Sequence, residues 1–188
     1  MGNNLAKDTI QQVIIKGTDV SLDLHQIEQY GIPIKYLKTP RSPETLDLDN
    51  MAEHIKYDIV PLNCIMVKII DGDIAGSKEF VYGISFIDQR SVYISVKRLK
   101  QQYYDANEIK DYVNFYGKTP DELVFSKYTE AQLLQYLLIH EIGHVLTNRS
   151  YHCTDKNCVM HRVRSIVDLT KPPDYCSSCS NIILSNTC

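Results

Sequence analysis

The stretch Thr129-Glu-Ala-Gln-Leu-Leu-Gln-Tyr-Leu-Leu-Ile-His-Glu-Ile-Gly-His-Val-Leu-Thr-Asn148 decides how this chain is read. Thr129 with Gln132 three residues on is the capping-box pattern, in which two side chains satisfy two free backbone amides, and it predicts a helix start. Ala131, Leu134 and Leu138, flanked by Leu133 and Leu137, place apolar groups around much of the cylinder, as in a helix buried between other elements. The helix is expected to persist to Thr147 or Asn148, because Asn tolerates the left-handed conformation that ends helices.

Inside this apolar helix stand His140, Glu141 and His144. Residues four apart share one helix face about 6 Å apart along the axis, so both imidazoles reach a single ion. Glu141 neighbours the first histidine and points its carboxylate at a water beside the metal without being a ligand. Zinc lowers the pKa of such a water from ~15.7 toward ~7, and Glu141 accepts its proton as hydroxide attacks a peptide carbonyl. Five-residue matches do arise by chance, and a helical histidine is more often a hydrogen-bonded core residue than a ligand. Here the apolar surroundings decide, since unpaired imidazole and carboxylate groups are costly to bury and a metal satisfies them.

A catalytic zinc normally keeps three protein ligands and one open position. No Glu follows Glu141, which removes the zincins that use a downstream Glu. The candidates are His152 and His161, then Asp155, Asp168 and Asp174. His152 is favoured because it follows the helix after a short loop that can turn back, whereas His161 reads more readily as a residue supporting the ligands or lying on the surface.

Working outward, Arg149 to Cys188 is rich in Ser, Asn, Cys and Pro and too poor in apolar residues to fold on a core of its own. Four of the chain's six cysteines, Cys153, Cys158, Cys176 and Cys179, crowd into it, as two pairs with 17 residues between them. That spacing suits a four-cysteine zinc site, whose binding free energy becomes folding free energy. Two disulfides, or a redox-active Cys176-Ser-Ser-Cys179, are the alternatives, and Pro172-Pro173-Asp174 announces no helix-capped, electropositive setting for a reactive thiolate. Cys64, in apolar surroundings, reads as a buried small residue. We expect residues 1–148 to carry a sheet and the active-site helix, and 149–188 to form a zinc-stapled subdomain.

Alternation and β-branched content predict strands near Gln11–Ile15, Ile32–Tyr36 and Ile65–Ile70, with a helix near Leu46–Ile55 on a looser pattern. Phe80–Phe86 and Ser91–Val96, joined by Ile87–Arg90, read as an antiparallel hairpin, one strand of which is a candidate open sheet edge. Arg98 to Lys127 is charged and Tyr-rich, and a short helix followed by a surface loop is expected. With 188 residues, 44% hydrophobic and 23% charged, the chain suits one compact domain. A net charge of −3 provides no long-range positive field for nucleic acid. A zinc-knuckle nucleic-acid module would rest on Arg162, Arg164 and Lys171, three cations without adjacent aromatic platforms. Met1 to Ile10 lacks the pattern of a secretory signal, Ala6 stands where a myristoylation signal wants Ser or Thr, and no stretch reaches the ~18 apolar residues of a membrane span, so a cytoplasmic protein is expected.

His140-Glu141-x-x-His144, then His152 directly before Cys153, then Cys158-Val159-Met160 and Cys176-x-x-Cys179, resembles the archaemetzincins, a metzincin branch of zinc metallopeptidases. Phe80-Val81-Tyr82-Gly83 looks like the strand that precedes the active site in that family. The resemblance implies an α+β, zincin/metzincin-like fold: a twisted mixed sheet with an antiparallel edge strand above the cleft, an active-site helix and a small C-terminal subdomain. It implies two zinc ions per chain, one on His140, His144 and His152, the other on Cys153, Cys158, Cys176 and Cys179, with Met160 as the Met-turn residue. Peptides or proteins would be the substrates, hydrolysed with Glu141 as general base. Two departures stand out: Thr147 replaces a Gly of the family, with Asn148 next to it, and seven residues separate His144 from His152 where the family has five. They keep a second reading in view, a non-catalytic zinc-stabilised peptide- or protein-binding protein.

Overall fold

The computed structural model describes residues 9–18, 22–50, 60–76, 81–100, 110, 113–115, 117–119, 122, 124, 127–164 and 166–187. Among these, five strands form one mixed sheet: β1 (Gln12–Lys16), β2 (Ile34–Leu37), β4 (Cys64–Ile70), β6 (Gly83–Phe86) and β7 (Ser91–Ser95), in the order β2-β1-β4-β7-β6. The first four in that order run parallel, and β6 closes the edge antiparallel to β7. Two short strands, β3 (Leu46–Asp47) and β5 (Ile74–Ala75), pair separately.

The period of two along each strand sorts side chains between the faces. Val13 and Ile15, Ile65, Val67 and Ile69, and Val92 and Ile94 enter the main core. Ile70 and Tyr93 point the other way, into a small cluster with Leu46 and Ile74. Onto the main face packs α3 (Glu130–Thr147), preceded by α1 (His25–Glu28) and α2 (Val96–Lys100). Leu138, Ile139 and Ile142 are wholly buried there, each worth about 1.5–3 kcal/mol of apolar burial.

The predicted capping box is present: the Thr129 side chain accepts from the Gln132 amide, and the Gln132 side chain accepts from the Thr129 amide. The helix ends at Thr147, with Asn148 left-handed at φ 54°. The Asn148 amide donates to the Val145 carbonyl and the Arg149 amide to that of His144, a Schellman ending. Expected strands and observed strands coincide to within two residues at their ends, except that β6 begins at Gly83 and not Phe80, and Ile87–Arg90 is the hairpin turn. Phe80 lies outside the described residues, as does most of Arg98–Lys127.

Three expectations need correction. The helix near Leu46–Ile55 is replaced at its start by β3 and a 3-10 turn over Leu48–Asn50. Leu46 is drawn into the second cluster, and the Asp47 carboxylate accepts from the Asp49 amide and the Asn50 side chain, a local bonding pattern that competes with an α-helix. Residues 51–55 lie outside the described residues. Cys64 opens β4 half-buried, not enclosed. The tail also contains an unforeseen helix, α4 (Ser177–Thr187). Its Cys179 and Ile183, one turn apart, join Val159, Met160, Ile166 and Leu169 in the main core, so few apolar residues suffice because they share a core built by the rest of the chain. No helix of the described residues is long and apolar enough to cross a membrane.

Candidate metal centres

α3 carries His140, Glu141 and His144 across the inner end of a cleft of about 600 Å³. The edge strand β6 lines it, as do Ser150, His152 and residues 162–164. The seven-residue passage from His144 to His152 leaves the helix through the left-handed Asn148 and returns, so that the ring centroids of His152 stand 5.4 Å from His140 and 5.1 Å from His144. The helical pair is itself 4.9 Å apart. One nitrogen of each of the three rings lies within 4.8 Å of the others.

Backbone carbonyls choose the tautomers. His140 Nδ1 lies 2.6 Å from the Val159 carbonyl and His144 Nδ1 lies 2.7 Å from that of Arg149, so each Nδ1–H donates and each Nε2 keeps its lone pair. The helix ending thus has a chemical consequence, because the same turn that caps α3 delivers the Arg149 carbonyl to His144. Burial pushes His140 down to about 4. His152 is also held at about 4, first by burial and then by the positive charge of His140, His144 and Arg162. His144 is lowered by burial too. At neutral pH all three present neutral nitrogen donors, the form a metal requires.

Glu141 sits deeper. Burial raises its pKa, against the pull of His144 and of a hydrogen bond from Ser85, so it is a stronger base than an ordinary carboxylate. The Ser85 hydroxyl, on β6, makes a short bond to Oε2. Gly83, on the same strand, makes the close approach possible: a Cβ there would stand 2.9 Å from Oε1.

Of the other candidate ligands, His161 turns its Nδ1 to the Cys153 carbonyl at 3.0 Å, Asp155 accepts from the Asn157 amide, and Asp168 pairs with Lys171. None of these, nor Asp174, joins the three-histidine group.

Beside this group, Cys153, Cys158, Cys176 and Cys179 bring their sulfurs within 4.8 Å of one another. All four are free thiols, not disulfides. The 3.7 Å between the Cys153 and Cys176 sulfurs matches the edge of about 3.8 Å in a tetrahedron built on Zn–S bonds of ~2.3 Å. Backbone amides of Asp155 and Cys176 point at the sulfurs of Cys153 and Cys158. Burial pushes Cys158 up to about 11 and Cys179 higher still, so without an ion both stay protonated, and zinc would expel those protons. Two donor sets therefore fit zinc in two ways: three neutral nitrogens with an open side on the cleft, and four sulfurs that close around an ion.

Known proteins resemble this chain in sequence and in fold. An archaemetzincin from Thermococcus kodakarensis is 31% identical over 109 residues, covering 57% of this chain and 48% of that one. Another, from Methanocaldococcus jannaschii, is 34% identical over 119 residues, 61% of this chain and 55% of its own. The chain is a relative of the archaemetzincins. It spans about half the length of these sequence relatives, and no protein-family model matches it. The archaemetzincin fold extends further than the sequence likeness: crystal structures from Methanopyrus kandleri and, as a complex with malonate, from Archaeoglobus fulgidus superpose with TM-scores of 0.56 at 17% and 19% identity. They cover 94% and 92% of this chain and 94% and 99% of their own.

The structure shows what Thr147 does: it is buried as the last residue of α3, its hydroxyl donates to the Gly143 carbonyl at 2.7 Å, and the left-handed turn falls on Asn148. Met160 lies beneath the helix against Gly143, where a Cβ would come within 2.9 Å of the Tyr175 ring and closer still to the Met160 sulfur. Gly143→Ala is accordingly expected to cost about 1–3 kcal/mol through overpacking, read as a lower midpoint in denaturant; an unchanged midpoint would show that Met160 and Tyr175 move aside freely. Tyr175, whose hydroxyl donates to the Ile139 carbonyl at 2.7 Å, escaped the sequence reading, as did Ser85, and Gly83 entered it only as the end of the Phe80-Val81-Tyr82-Gly83 run. Alternation along β6 was the signal available for Ser85; Tyr175 had none beyond its place before Cys176.

Proposed function

We propose that this chain is a zinc-dependent peptidase, with His140, His144 and His152 holding a catalytic zinc and Cys153, Cys158, Cys176 and Cys179 a structural one. The observation that carries the reading is the convergence of three neutral imidazoles and a buried, basic carboxylate at the end of one cleft. Zinc bound there supplies a Lewis acid that acidifies water and polarises a carbonyl. The chain's own residues do the rest. Glu141 takes the proton at Oε1, because Oε2 is engaged by Ser85, and can return it to the departing amine. Ser85 and Gly83 hold that carboxylate against the edge strand. Among the described residues β6 is the edge of the sheet, with β7 as its one strand neighbour, and it lines the cleft, where an extended peptide can pair with it. Met160 and Tyr175 support the helix from below.

Zinc content and cleavage test this together. The wild-type chain is expected to hold one ion on each donor set and to cut members of a broad peptide library. His152→Ala should lose one ion and all cleavage, since two ligands on one helix hold zinc weakly without the third. A His152→Ala protein that keeps both ions removes His152 as a ligand. Both ions without any cleavage by the wild type would instead make this a zinc-stabilised peptide-binding protein.

A further inference from the structure

The lining of the cleft carries charge that neither donor set uses. After Met160, residues 162–164 belong to no helix or strand: His161 turns to the Cys153 carbonyl and Val163 packs partly on the main core, while Arg162 and Arg164 are exposed. Both arginines line the cleft with Val163 between them, and two residues of chain separate their Cα atoms by at most about 7 Å. Neither guanidinium has a hydrogen-bond or ion-pair partner among the described residues; nearby Asp168 binds Lys171 and the Arg164 backbone instead. Arg162 is close enough for its charge to act on His152. With the histidines neutral, Glu141, Arg162 and Arg164 are the ionised groups among the described residues lining the cleft, and Glu141 is withdrawn behind Ser85. A chain of net charge −3 thus presents two cationic side chains at this cleft.

We propose that Arg162 and Arg164 make the cleft selective for peptides that carry a carboxylate close to the cleaved bond. The inference rests on the peptidase reading and names its substrate class. A guanidinium offers two parallel N–H donors to a carboxylate, and two of them, two residues apart in the lining of the cleft that β6 also lines, are placed to meet a carboxylate of a peptide bound there. The carboxylate belongs either to an acidic side chain or to the peptide's own C-terminus.

Binding to the full-length, zinc-loaded Glu141→Gln chain separates these sources without depending on turnover. The probe is a neutral, labelled peptide with an amidated end, carrying a single Glu moved through successive positions; Gln versions and one with a free C-terminal carboxylate accompany it. At least one carboxylate-bearing form is expected to bind about tenfold or more tightly than its neutral counterpart at low salt, and the form that does identifies the source. Arg162→Gln/Arg164→Gln should abolish that advantage, and Arg162→Glu/Arg164→Glu should turn the preference toward a Lys-containing peptide, a reversal that misfolding does not produce. Equal binding of charged and neutral forms, an advantage that survives the double Gln variant, or tighter binding of a short single-stranded RNA than of any peptide overturns the proposal. Cleavage of the same peptides by the wild type separates the two ideas. Cutting without regard to charge defeats the selectivity and leaves the peptidase standing, whereas charge-selective binding with no cutting does the reverse.

Discussion

Glu141→Gln should leave zinc on both donor sets while peptide cleavage falls by about a thousandfold or more, the scale of a lost general base. The substitution is nearly isosteric. The amide oxygen can still accept from Ser85, the side chain still fits against Gly83, and no metal ligand is touched. What disappears is the capacity to take a proton, a capacity that burial strengthens by raising the carboxyl pKa. Turnover and zinc content must be measured on the same preparation. Cleavage at the wild-type rate would take Glu141 out of the chemistry, and loss of zinc would show that the carboxylate instead helps to hold the site together.

Removing the cysteine-bound zinc should damage both sites. Val159, between Cys158 and Met160, provides the carbonyl that orients His140, and His152 is bonded directly to Cys153. A loop that loses its ion therefore releases one histidine from its hydrogen bond and frees the backbone beside another. Losses of metal affinity of about 10–100-fold are usual when such supporting contacts go. We expect Cys158→Ser, or a strong chelator, to lower Tm by about 10 °C or more, given the ~2–4 °C per kcal/mol of chains this size and the large folding contribution of structural zinc. The same variant should bind the second zinc more weakly. If residues 149–188 form the subdomain we propose, protease should then cut first near Arg149. Retention of both ions and of Tm by Cys158→Ser would dismiss the four-sulfur site, and rescue of the chelated protein by oxidant alone would point to disulfides.

Much of this was legible in the residues because it is governed by short-range rules. The Thr129–Gln132 box and the left-handed Asn148 bound α3 where local backbone bonding says a helix begins and ends. The period of two marked β1, β4 and β7, since a strand between two apolar layers must alternate or run continuously apolar. The Leu46–Ile55 reading failed where one buried leucine answered to a distant cluster instead of to its neighbours in sequence. The helix α4 went unread because Ser-Ser-Cys-Ser-Asn has weak helical preference and its burial depends on a core assembled elsewhere.

By itself the sequence determined which atoms are available: two histidines one helical turn apart, a carboxylate between them, and two pairs of thiols, all within reach of one another along the chain. Only the tertiary structure shows that His152, and not His161 or the three aspartates, groups with His140 and His144, which bonds leave Nε2 of His140 and His144 free, and that Ser85 and Gly83 stand against Glu141. The reason is range. Helix caps and residue spacing act over a few bonds and are written in adjacent letters, whereas a ligand's orientation depends on carbonyls and side chains brought in from residues far along the chain, whose positions are set by the packing of the whole core.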